Sequence, residues 1–198
     1  MNADTNKLLP ILQLSFAENA NAFVKYWSGL NDYPGYATYK SAVTKSEISK
    51  KELRLLFEWK NSTDLNSKKE KSFLSHVLQH DELINELKKK FDQKKFEKTF
   101  GKMSAVWQIF LLHILQPYDC PMFDKPVYRA SGLYKSWGKK RLPSSQSERL
   151  TIFHEQYRPF FLEMCKLANG SDVFDIDNAL WTFGKMIKEY PGLVKVDN

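Results

Sequence analysis

The chain has 198 residues, 42% of them hydrophobic and 27% charged, and its 30 Lys and Arg against 23 Asp and Glu give a formal net charge of +7. These are the proportions of an ordinary folded domain, and a chain of this length buries about 70% of its unfolded surface in a single core. Two cysteines, Cys120 and Cys165, exclude a disulfide scaffold, a four-thiolate zinc site and a four-cysteine iron–sulfur cluster.

The thiol count points to a reduced, cytoplasmic setting. No run approaches the roughly 20 apolar residues that cross a bilayer; the longest, near 109–115, is interrupted by His113. The start, MNADTNKLLPILQLSF, lacks the pattern of an export leader. No membrane partner, metal or cofactor is expected.

Apolar residues recur at helical spacing along nearly the whole chain. Phe16, Phe23, Val24 and Trp27 form an amphipathic run that ends near Gly29 and the turn-rich NDYPGY. Ser49 with Glu52 three positions on is a capping box, and it opens KKELRLLFEWK with Leu53, Leu56 and Phe57 on one face. A polar break over 61–67 follows. The next helical pattern runs from Lys68 to about Phe91 through Phe73, Val77, Leu78, Leu83 and Leu87. His76 and His80 lie four apart on it, but no third ligand has metal-site spacing. Residues 86–102 hold seven lysines against three acids and read as a solvated helix face of mixed charge.

Residues 103–115 are apolar nearly all round, which marks a central packed helix that Pro117 stops. His113 on this helix reads as a hydrogen-bonded core histidine. Residues 118–123 form a connector without period. Asp124 followed by Pro126 is then a helix start, because a carboxylate accepts from free backbone N–H groups and proline is tolerated in the first turn. Residues 138–147 read as an exposed basic loop. Helices at about 148–167 and 175–189, separated by ANGSD, complete the chain. Nothing alternates with a period of two. The fold expected is all-α, a single domain over 1–198 with two lobes: a central one at about 46–137, and a second from 1–45 plus 146–198.

The charge is uneven. Residues 125–149 carry seven basic side chains against the single Glu148, interleaved with Tyr128, Tyr134 and Trp137. Cations beside aromatic rings suit phosphate neutralisation with base stacking; the alternative is that the rings pack inward.

Two motifs stand 20 positions apart between Ser104 and Asp124: Gly101-Lys102-Met103-Ser104-Ala105, and Pro121-Met122-Phe123-Asp124-Lys125-Pro126-Val127-Tyr128-Arg129-Ala130. Together with the all-helical pattern they resemble the helix-hairpin-helix DNA glycosylase superfamily. There a Gly-[Lys/Arg]-x-[Thr/Ser]-Ala signature opens a buried helix, and an Asp-x-His-Val-x-Arg motif begins a later one. The resemblance implies a two-lobed helical fold and double-stranded DNA with a modified base as partner. It makes Asp124 the catalytic carboxylate, steadying positive charge on the sugar as the base departs. Gly101, Lys102, Ser104, Lys125, Arg129, Lys135, Lys139, Lys140 and Arg141 would hold the DNA. Trp107, Trp137 and Trp181 are candidates for the base pocket or the wedge that offsets extrusion of the base, with core packing as their alternative.

The departures from the family pattern are Thr99 in place of a hairpin glycine, Pro126 in place of the histidine, and Met103 where bifunctional members carry the lyase lysine. The implied activity is therefore monofunctional: hydrolytic base release. The alternatives are a non-catalytic helical nucleic-acid-binding module, a helical protein-interaction domain and, for Asp124 itself, a plain N-cap.

Overall fold

A computed structural model describes residues 17–134 and 141–190. The described residues are helical, without a strand, as the periodicity requires. The first helix, α1 (Ala20–Gly29), is capped by Asn19 and buries Phe23, Val24 and Trp27. A turn through Gly35, whose φ of 74° suits a residue without Cβ, opens α2 (Tyr36–Val43). This helix is not among those expected from the sequence, since eight residues that follow a turn signal and bury only Tyr39, Ala42 and Val43 carry little periodic pattern. The expected capping box of Ser49 and Glu52 opens α3 (Lys50–Asn61).

The single helix expected from 68 to 91 is instead two, α4 (Ser67–His76) and α5 (Asp81–Lys89), joined by a 3-10 turn over Leu78–His80. Asp81 and Glu82 form an acidic first turn for α5, a start signal inside the apolar run. Next come α6 (Gln93–Phe100) and α7 (Ala105–Leu115). From Trp107 to Leu115 every residue of α7 is buried, so this helix forms the middle of one continuous apolar core. The lysine-rich face is solvated in part: Lys89 and Lys95 pair with Glu47 and Glu86. Lys88 departs from that expectation. Its ammonium turns inward and donates to the Val43 and Ile114 carbonyls at 2.9 and 2.6 Å, tying together the C-terminal ends of α2 and α7.

The helix α8 (Lys125–Tyr134) packs along α11 (Val173–Glu189), which packs in turn on α1. The backbones of α8 and α11 meet at Gly184, where a Cβ would stand 1.9 Å from the Pro126 carbonyl oxygen. Since α8 lies in the expected central lobe and α1 and α11 in the second, this contact joins the two segments. Between α8 and α11 run α9 (Gln146–Ile152), a π-helical turn over Phe153–Tyr157, and α10 (Arg158–Leu167). Pro159 has no N–H to offer, and the Arg158 N–H reaches back five residues to Phe153 O. The turn presents Phe153 and Tyr157 to Phe123, with ring centroids 5.8 and 5.0 Å away. No helix among the described residues is long and apolar enough to cross a membrane.

Candidate active site

Asp124 ends the connector and starts α8, as its place before Pro126 predicts. Its Oδ1 accepts from the Val127 N–H at 3.4 Å and its main-chain carbonyl from Tyr128 N–H at 3.0 Å. Capping is not its sole contact. Oδ2 accepts from the Lys60 ammonium at 3.3 Å, and Lys60, in the last turn of α3, is only 13% exposed. The Lys60 Nζ also lies 5.9 Å from the centre of the Phe110 ring on α7.

The pair borders a cavity of about 240 Å³ whose other walls include Tyr33, Trp59, Trp181 and the polar Asn31, Ser62 and Asn178. Tyr33 stands edge-on to both Trp59 and Trp181, with centroids 5.2 Å apart in each pair. Ligand pockets for drug-sized molecules span about 300–1,000 Å³, so this one suits a single small ring system.

The walls are braced from behind. Trp59 stacks on Tyr39 at 3.9 Å, nearly parallel, and donates its Nε1–H to Pro34 O at 3.1 Å. The Tyr39 hydroxyl meets Nε2 of His113, whose Nδ1 lies 2.7 Å from the Cys120 carbonyl. A carbonyl only accepts, so Nδ1 carries the ring proton and Nε2 accepts a hydrogen bond from the tyrosine hydroxyl. Burial pushes His113 down to about 3, which keeps it neutral and makes it the core histidine expected. Tyr33, whose hydroxyl donates to Trp59 O at 3.3 Å, also meets Ser62 Oγ at 2.5 Å, and Ser62 itself ends α3 in a left-handed conformation with φ 58°.

Beneath the connector, Asp177 of α11 is fully buried. Its Oδ2 accepts the Met122 N–H at 3.1 Å, two residues before Asp124, while Oδ1 has no hydrogen-bond partner among the described residues. Burial, and then the charge of Asp124, push this carboxyl up to about 7, against the opposing pull of the Met122 N–H and Lys60. The buried Tyr157 hydroxyl feels the same two carboxylates.

Of the residues expected to form the site, Asp124 and Trp181 come together at the cavity. Trp107 does not: it is buried edge-on to Phe57 at 5.0 Å, the core role that was its alternative. Tyr128 is likewise buried. Arg129, expected to hold phosphate, is part-buried and donates its Nε–H to Gly184 O at 3.0 Å, across the α8–α11 contact. Gly101 ends α6, where a Cβ would lie 2.5 Å from Glu97 O, and Ser104 caps α7 by accepting from Trp107 N–H at 3.4 Å.

Lys102, Lys125 and Arg141 are exposed. The Gln146 side chain accepts from Ala105 N–H at 2.5 Å, which fastens the segment carrying Arg141 to the turn carrying Lys102. Lys135, Trp137, Lys139 and Lys140 lie outside the described residues. No group of three His, Cys, Asp or Glu side chains converges on a metal position among the described residues.

Lys60, Trp59, Tyr33 and Asp177 join the site without having been expected there from the sequence. Comparison with known proteins finds no matching family model, no matching curated protein and no matching solved structure.

Proposed function

We propose that the chain is a monofunctional DNA N-glycosylase-like protein of two-lobed helix-hairpin-helix type, acting in the cytoplasm on double-stranded DNA that carries a modified base. The observation that carries this reading is the position of the Asp124 carboxylate, at the border of an aromatic-walled cavity sized for one base rather than only on a helix cap. An extruded base enters between Tyr33, Trp59 and Trp181, whose rings offset the loss of stacking in the duplex. Asp124 then faces the sugar and stabilises the oxocarbenium-like charge that develops as the C1′–N bond lengthens. Lys102 and Ser104 at the N-terminus of α7, with Arg141 five residues before the Gln146 that bonds there, hold the backbone.

The test is formation of abasic sites in duplexes carrying single modified bases. Release by the native chain, with its loss and retained DNA binding in Asp124→Asn, supports the reading. Absence of release across a broad panel overturns it. A second reading, a base-binding module that does not cut, is favoured by the Lys60–Asp124 ion pair, because a neutralised carboxylate stabilises a sugar cation less.

A further inference from the structure

We infer that the cavity selects a neutral, planar heteroaromatic base whose edge presents a carbonyl oxygen to Lys60, and that it discriminates against bases carrying a positive charge. This rests on the reading of the cavity as a base pocket.

Aromatic walls alone would favour a cation, since ring faces attract positive charge. Two observations reverse that preference here. First, the Lys60 ammonium lies on the cavity wall, nearly buried, and pairs with Asp124 at 3.3 Å. An ammonium has three N–H donors, so it offers a hydrogen bond to an acceptor on the entering ring, where a cationic ring would meet like charge. Second, the Trp181 ring already carries a cation: Lys185 Nζ lies 4.7 Å from its centre. A ring whose electrons are drawn to one cation attracts a second one less.

The surrounding charge points the same way. Arg129 lies within electrostatic reach of Asp124, and the second carboxyl of the cluster, Asp177, has its charged form disfavoured by burial. Among the described residues that line the cavity, Lys60 and the part-buried Asp124 carry the charge, with Lys185 behind them on the Trp181 ring and Arg129 near Asp124.

This distribution divides the labour of hydrolysis. As the C1′–N bond breaks, its electron pair goes to the base; water gives its oxygen to C1′, and one of its protons ends on the base nitrogen. A neutral base departs with developing negative charge, which Lys60 stabilises by donating a hydrogen bond to the carbonyl. Asp124 meets the positive charge on the sugar. A base that is already cationic leaves without such help and gains nothing from Lys60.

The experiment compares duplexes carrying hypoxanthine, uracil or 8-oxoguanine with duplexes carrying 7-methylguanine or 3-methyladenine. Release of at least one neutral base should exceed release of either cation at least tenfold. Lys60→Met should cut the neutral rate tenfold or more and leave the cationic rate unchanged or raised, while Lys60→Arg keeps the preference. Equal release of the cations, or a ratio indifferent to Lys60→Met in protein that melts like the native chain, overturns the inference.

A parallel titration needs no catalysis. Quenching of tryptophan fluorescence by inosine or uridine should occur at concentrations at least tenfold below those needed for the cations 1-methyladenosine and 3-methylcytidine, and Lys60→Met should abolish the gap. Discrimination in binding without base release defeats the glycosylase reading alone. Equal binding of the cations, or neither binding nor release with any probe, defeats the selectivity.

Discussion

Lys60 donates to Asp124 across 3.3 Å and so joins the last turn of α3 to the first turn of α8, 64 positions further along the chain. The bond gives a helix-capping carboxylate a second partner inside an aromatic cavity. It also sets the charge of that cavity, since neither α3 nor α8 alone supplies both signs there.

Asp124→Asn separates the cap from the carboxylate. Asparagine caps a helix as well as aspartate, and its amide oxygen can still accept from Lys60, so the loss at this part-buried pair is about 1–2 kcal/mol. The melting temperature should move by only a few degrees. Base release should fall about a hundredfold or more, as expected when a group that stabilises transition-state charge is lost. Single-turnover rates together with thermal melting check both halves; a large loss of stability with unchanged release would sink the assignment.

Gln146 fastens the Arg141 segment to the N-terminus of α7, so Lys102 and Arg141 should act on one stretch of DNA. Each phosphate contact releases counterions and steepens the fall of affinity with salt by about 0.9 on logarithmic axes. Lys102→Gln and Arg141→Gln should each flatten that slope by about 1, with additive effect. Binding isotherms at several salt concentrations measure it, and a slope near zero in the native chain would remove nucleic acid as a partner.

Much of the fold was legible because its signals are local. The capping box at Ser49, the all-round apolar α7 and the Asp124-x-Pro126 helix start each fit within one or two turns. The site was half legible. Trp181 stood out as a large ring, yet nothing within a few residues of Lys60 or Asp177 marks them, because each acquires its role from a segment more than fifty positions away. Charge counting failed in a related way. It gives Lys88 and Arg129 the same weight as Lys102, although packing turns the first two toward backbone carbonyls. Composition gives the number of charges, and packing gives their direction.

Gly184 is where α11 comes closest to the start of α8. The nearest atom to an added Cβ is the Pro126 carbonyl oxygen at 1.9 Å, and a backbone atom cannot swing aside as a side-chain tip does. Gly184→Ala should therefore part the two helices and destabilise the fold by roughly 1–3 kcal/mol or more, as overpacking does. Because Pro126 follows Asp124 by two residues, release should fall even at temperatures where the variant stays folded. Denaturant unfolding and activity on the same preparation check this; a neutral substitution would mean that the helices are not held at this distance.

Asp177 gives stability an unusual dependence on pH. Its carboxyl is pushed up to about 7 in the folded chain from an ordinary 3.8, so folding favours the protonated form. Below the unfolded value both states hold the proton and the group is silent. As pH rises from about 4 to 7 the unfolded chain releases its proton first, so stability falls over that window and stays reduced above it. At about 1.4 kcal/mol per unit the loss is on the order of 4 kcal/mol. Asp177→Asn keeps an oxygen to accept the Met122 N–H and carries no charge at any pH. The variant should melt higher than the native chain at pH 8, and its advantage should shrink toward zero near pH 4. Lys60, Asp124 and Tyr157 are present in both proteins, so the difference between the two melting curves reports Asp177 together with its coupling to them. Parallel curves from pH 4 to 8 would show that its carboxyl keeps an ordinary affinity for the proton despite its burial.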